Sequence, residues 1–181
     1  NYQDILDDIA REIGAATRRG EVADYIPALR KVPPGRFGMS LRTVGGVEFK
    51  VGGAGEPFSI QSISKLFTLM LAFRMVGDEI WTRCGKEPSG TKFNSLVQLE
   101  YEDGVPRNPF INAGALVVTD CVISHARDAR QTICDYARVL AQNFALGFDV
   151  RVARSERRTG HRNAALANML ASHGRLDNAV R

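Results

Sequence analysis

With 181 residues, 44% of them apolar and 24% charged, the chain can build one hydrophobic core, and its composition excludes both a disordered segment and a fibrous repeat. The formal charge of +4 comes from 24 basic and 20 acidic residues spread over both halves, so no tail or stripe fits a nucleic-acid footprint. The one local concentration, Arg151, Arg154, Arg157, Arg158 and Arg162 around Glu156, reads first as a solvated basic loop.

Residues 2 to 18 place Ile5, Leu6, Ile9, Ala10 and Ile13 along one stripe and predict an amphipathic helix, counted as residues 1–19 of a single domain. Pro27, Pro33 and Pro34 argue against a long regular element between Gly20 and Gly35, and Tyr25-Ile26-Pro27 is expected to pass over a surface or cleft. Residues 37 to 44 and 47 to 51 flank Gly45-Gly46 and predict an antiparallel hairpin. A helix beginning near residues 59 to 62 carries Leu66, Phe67, Leu69, Met70, Phe73 and Met75, apolar on several sides, and is expected at the centre of the fold.

Residues 85 to 109 are rich in Gly, Pro, Asn and Ser and predict an extended excursion with short helical pieces. Residues 112 to 123 predict a tightly packed helix, in which Ala113-Gly114-Ala115 permits close backbone approach. A further helix is expected over 128 to 146 with Gly147 as its stop, and a last one over 163 to 172 with Gly174 at its end. Two strands alone offer little sheet for a central helix to pack on.

The segment Phe58-Ser59-Ile60-Gln61-Ser62-Ile63-Ser64-Lys65 carries the clearest chemistry. A hydroxyl and an amine three residues apart at a helix mouth can face one cleft. Lys65 could take the Ser62 proton if burial and neighbouring positive charge lower its pKa, making Ser62 a nucleophile. The bland reading is a serine cap beside a solvated lysine. Cys84, Cys121 and Cys134 lack a Cys-x-x-Cys pair, and His125, His161 and His173 are scattered, so neither a disulfide scaffold nor a zinc site is indicated and metal-free chemistry is expected. No apolar run has membrane-spanning length, and Asp4, Asp7 and Asp8 do not suit a secretory signal, so a cytoplasmic location without membrane contact is the expectation.

Taken in order, Val22 to Pro27, Phe58 to Lys65, Glu87-Pro88-Ser89-Gly90, Asn94-Ser95, Arg107 to Ala115, Ser155-Glu156 and Gly160-His161-Arg162-Asn163 resemble the serine-dependent glutaminases. The resemblance covers nearly the whole chain from Gly20 onward. It implies a fold like that of β-lactamases and penicillin-binding proteins, an α/β or α+β architecture that is mostly helical here, with an N-terminal hairpin and an incomplete central sheet. The Ser-Asp-Asn and Lys-Thr-Gly signatures of β-lactamases themselves are absent. By the same resemblance, Ser62 is the acyl-accepting nucleophile, Lys65 its base, and Tyr25 a border of the active site. Gln61, Asn112, Glu156 and Asn163 are substrate-pocket residues.

The implied reaction is hydrolysis of L-glutamine to L-glutamate and ammonia, without metal or organic cofactor, in a homo-oligomer, dimer or tetramer. Such domains continue beyond Arg181 with a Tyr-x-x-Gln-Cys segment, more strands and a second oxyanion donor. The chain is therefore expected to be an N-terminal portion with little turnover by itself. From the residues alone, Glu156 reads as an arginine-paired surface group, Asn112 as a turn residue, Asn163 as a helix cap and Tyr25 as packing. A non-catalytic amino-acid or anion-binding module and a structural fragment are the alternatives.

Overall fold

Asn1 opens α1 (Tyr2–Ala15) with its side chain accepting the Gln3 amide at 2.7 Å while its own backbone nitrogen donates to Asp4 at 3.2 Å. The computed structural model describes residues 1–16 and 20–180, so the last two residues of the helix expected over 2 to 18 lie outside the described residues. The chain divides into two compact units, 1–59 with 151–159, and 60–150 with 160–181.

In the first unit α1 buries Leu6, donates from Gln3 Nε2 to the Lys50 carbonyl at 3.0 Å, and tilts Tyr2 against Phe49, with ring centroids 5.6 Å apart. The hairpin joins β1 (Gly38–Arg42) to β2 (Glu48–Gly52), with Gly38 opposite Gly52 and Arg42 opposite Glu48. Its connection is longer than a two-glycine turn. The Thr43 amide donates to Val47 O and the Gly46 amide to Thr43 O, both at 2.9 Å, with Gly46 at φ 86°.

The basic segment is not a loop, which corrects the first reading: Val150–Thr159 forms α6. Arginine is a good helix former, and Val152, 7% exposed, supplies the buried anchor that an arginine-rich run does not advertise. Ser155 Oγ accepts the Ala28 amide at 3.1 Å, next to the residues around fully buried Ile26.

The second unit begins with a single 3₁₀ turn, Gln61–Ile63, running into α2 (Ser64–Val76). α2 buries Thr68, Leu71 and Ala72 but leaves Leu66, Met70 and Phe73 between 39% and 47% exposed, so it is central on one face only. A 3₁₀ stretch not foreseen in the sequence, Gly77–Thr82, follows, and α3 (Leu96–Tyr101) is the short helical piece of the extended excursion.

The helix buried on most sides is α4 (Asn112–His125), which covers Ala113, Gly114, Val117, Val118, Asp120, Cys121 and Val122. Val118, Cys121 and Val122 join Leu71, Ala72 and Ile80 in one apolar cluster. Ala113 and Val117 join Cys84, Leu99, Leu166 and Leu170 in another. α5 (Ala129–Ala141) stops earlier than its periodicity predicts, at left-handed Gln142. α7 (His161–Ser172) starts two residues earlier than predicted and ends on Gly174 at φ 65°, with the Arg175 amide returning to Leu170 O at 2.9 Å. Among the described residues β1 and β2 are the whole sheet, and no helix is long and apolar enough to cross a membrane.

Asp120 secures the segment after α7. Its carboxylate accepts from Arg83, from the Asp177 amide at 2.9 Å, and from the Asn178 amide and side chain at 3.0 Å each. Burial pushes this carboxyl up, but the Asp177 amide, Arg83 and Asn178 together outweigh it and leave the pKa below the ordinary carboxylate value. Asp120→Asn keeps the shape but takes the buried carboxylate from Arg83, which retains Asp177 at 2.7 Å and Arg175 O, and turns an amide N–H toward donors that Asp120 accepted. It is expected to cost about 2 kcal/mol in urea unfolding at neutral pH. A pKa depressed by folding gives stability that is present above the unfolded value and lost as pH falls through the folded one. The difference between parent and variant should therefore shrink below about pH 4; a difference independent of pH would refute the charged role.

Candidate active site

Lys65 sits in the first turn of α2, half-buried, where its amine is given two oxygen acceptors. Nζ donates to the Phe110 carbonyl at 2.9 Å and to Asn112 Oδ1 at 2.7 Å, and lies 5.9 Å from the Phe93 ring centroid. Burial lowers its pKa from the ordinary 10.5. A neutral amine with two N–H groups fixed on these oxygens keeps one lone pair for a third partner, which is what a proton acceptor needs.

The acceptors come from the start of α4. Asn112 is its first residue, its amide N–H donates to Phe93 O at 2.8 Å, and its Nδ2 donates to Asn163 Oδ1 at 3.0 Å. With Oδ1 committed to a donor-only or donor-rich amine and Nδ2 to Asn163, the orientation of the Asn112 amide is settled. Asn163 lies in the first turn of α7, and its neighbour Arg162 donates from Nε to Asn94 O at 2.7 Å. Phe93 and Asn94 are therefore tied to α4 and to α7 by adjacent carbonyls.

Ser62 is exposed in the 3₁₀ turn one helical turn before Lys65. Gln61 immediately before it adopts φ 45°, a left-handed conformation uncommon outside glycine, asparagine and aspartate. This break accompanies the 3₁₀ turn with which the helix expected from near residues 59 to 62 begins, and it places backbone strain beside the candidate nucleophile. Ser64 Oγ reinforces the turn by donating to Gln61 O at 2.7 Å.

Of the residues singled out in the sequence, Lys65, Asn112 and Asn163 are in direct hydrogen-bonded sequence within the second unit, and Ser62 and Gln61 adjoin Lys65 along its chain. Tyr25 and Glu156 belong to the first unit. Tyr25 is 67% exposed, against the reading of a packed ring; Ile26 is the buried anchor there. Glu156 is half-buried on α6 and makes none of the ion pairs among the described residues, so the arginine-paired reading fails. Asn163 is not a cap either, because Gly160 occupies that position in α7. All three cysteines are free, and burial pushes the Cys84 thiol up to about 12.

Phe93, Asn94, Asn108 and the Phe110 carbonyl escaped the sequence reading as participants. Asn108 before a proline is a turn signal, but nothing in spacing announces that the turn serves a lysine 43 residues earlier.

The family model described as Glutaminase matches residues 20–181. A protein named Glutaminase from Methylobacterium sp. (strain 4-46) is 53% identical over 178 residues, covering 97% of this chain and 58% of the relative. Another from Rhizobium rhizogenes is 52% identical, covering 99% and 59%. Among solved structures, the probable glutaminase YbaS superposes with a TM-score of 0.90 at 32% identity, covering 98% of this chain and 58% of that one. Mglu in its glutamate form gives 0.88 at 34% identity, covering 98% and 41%.

The fold is the β-lactamase-like one of the solved glutaminases. The chain is a member of the glutaminase family, and it spans 58% to 59% of the length of the first two of these curated relatives.

The two acceptors on Lys65 favour its ammonium form, while burial disfavours it. Replacing Asn112 by Leu removes one acceptor at similar volume. Titration of ¹³Cε-labelled lysine by NMR should place Lys65 below an ordinary lysine in the parent and lower still in Asn112→Leu; an unshifted parent resonance would overturn the burial argument.

Proposed function

We propose that these residues form part of one glutaminase domain that hydrolyses the side-chain amide of L-glutamine to L-glutamate and ammonia. The observation that carries this reading is the amine of Lys65, partly desolvated and fixed by Phe110 O and Asn112 Oδ1, one turn after Ser62. Neutral Lys65 accepts the proton of Ser62 Oγ as that oxygen attacks the carboxamide carbon. The tetrahedral intermediate collapses with cleavage of the C–N bond, and Lys65 returns the proton to the departing ammonia. Water, deprotonated by the same amine, then attacks the γ-glutamyl ester, the ester C–O bond breaks, and Lys65 returns the proton to Ser62 Oγ as glutamate is released.

The Ser62 amide is proposed as one oxyanion donor. Glu156 is assigned to the substrate ammonium, with Asn112, Asn163 and Gln61 on the amino-acid head group and Tyr25 bordering the site. The L-glutamate binding form named for Mglu supports an amino-acid head group as ligand. A homo-oligomer in the cytoplasm, acting without cofactor, completes the proposal. An amino-acid-binding module without catalysis is the second reading, and it predicts glutamine binding without ammonia release.

In the domain at the length of its relatives, Ser62→Ala should reduce glutamine-dependent ammonia release by at least about a thousandfold while leaving the fold intact. Near-parent release would reject Ser62 as nucleophile. Lys65→Arg retains a charge that stays protonated, and should lower kcat far more than it weakens glutamine binding. Because the base must be neutral, kcat/KM should rise with pH along a limb lying below the ordinary lysine value of 10.5.

Substrate choice should require the amino-acid head group, since a closed pocket leaves its polar partners unpaired when the head group is missing. Glutamine is expected to exceed butyramide in kcat/KM by at least about a hundredfold; comparable values would remove Glu156, Asn112 and Asn163 from recognition.

A further inference from the structure

We infer that Asn108 is a positioning residue for Lys65, fixing through one peptide plane the direction of the Phe110 carbonyl that holds the lysine amine. This inference rests on the proposed role of Lys65 as base. Asn108 Oδ1 accepts the Phe110 amide at 3.0 Å and the Ile111 amide at 3.1 Å, and its Nδ2 donates to Glu87 O at 2.7 Å. Two backbone donors converging on one atom identify it as the oxygen.

The Ile111 N–H and the Phe110 C=O belong to the same peptide group, which is planar with the two bonds pointing opposite ways. Anchoring the N–H on Asn108 therefore aims the carbonyl at Lys65 Nζ, 2.9 Å away. The hydrogen bonds run in series from Oδ1 through the peptide to Nζ, so each polarises the next. The next residue but one after Phe110 is Asn112, the second acceptor, so the same turn sets both oxygens. Glu87 anchors the side chain from the opposite direction, and its own amide is held on Arg107 O at 2.8 Å.

The test compares the parent, Ser62→Ala, Asn108→Ala and Asn108→Asp in the domain at the length of its relatives, with glutamine as substrate and melting curves for each. Aspartate keeps the oxygen acceptor that alanine removes. Asn108→Ala should lose at least tenfold in kcat with KM within threefold of the parent, and Asn108→Asp should recover to within threefold of the parent kcat. Parent kcat in the alanine variant, a loss confined to KM, or equal loss in both folded variants would overturn the inference. So would an alanine variant that does not fold, which would mark Asn108 as general support.

A parent without turnover, or a fully active Ser62→Ala, would instead defeat the proposed function. In that case the ¹³Cε titration of Lys65 decides the positioning role. A downward shift of at least half a pH unit in Asn108→Ala and none in Asn108→Asp supports it, and any other pattern overturns it.

Discussion

The amine of Lys65 is under two opposed demands, and the second unit is built around reconciling them. Burial disfavours its charge, while an unpartnered buried amine would be costly in either protonation state. The Phe110 carbonyl and Asn112 Oδ1 satisfy its donors without adding a negative charge that would bind the proton firmly. A carboxylate in either position would raise the pKa and remove the base; two neutral oxygens leave burial as the largest influence.

Both oxygens depend on where α4 begins, so the placement of α4 matters more than that of α2, the helix carrying the lysine. α4 is clasped along its length by two apolar clusters, one through Val118, Cys121 and Val122 and the other through Ala113 and Val117. Toward its far end Asp120 binds the chain that follows α7. At its near end Asn112 is held by Phe93 O and Asn163. A helix with polar ties at both ends and apolar surface between has little freedom to rotate or slide, and its first turn inherits that rigidity.

Periodicity sufficed for the elements whose burial is one-sided or nearly complete. Residues 112 to 123 announced a packed helix through their apolar composition around Ala113-Gly114-Ala115, and the hairpin was visible from its paired glycines. α6 was hidden because its arginines look like solvent-facing loop residues and its buried surface is concentrated in Val152. The exposed row on α2 could not be separated from its buried row, since both are apolar. The site was legible in part. Ser62 and Lys65 are linked by spacing, whereas the bonds joining Lys65 to Asn112 and Asn112 to Asn163 span 47 and 51 residues and are set by helix packing. Family resemblance nominated those residues; only the fold supplies the order in which they touch. Asn108 carries no periodic signal at all, because it lies in a turn and its partners at residues 87, 110 and 111 follow no helix or strand repeat.

Gly114 shows how far this arrangement depends on the absence of atoms. A Cβ there would overlap the Asn108 carbonyl oxygen and lie 2.8 Å from the Asn108 carbonyl carbon and 2.9 Å from Pro109 Cα, all of them backbone and unable to turn aside. One added methyl group would force the first turn of α4 away from residues 108 and 109. The damage would surface elsewhere, as a lysine whose two oxygen partners no longer converge. The reactivity of an amine is thus bounded by a hydrogen atom on a residue that never approaches it.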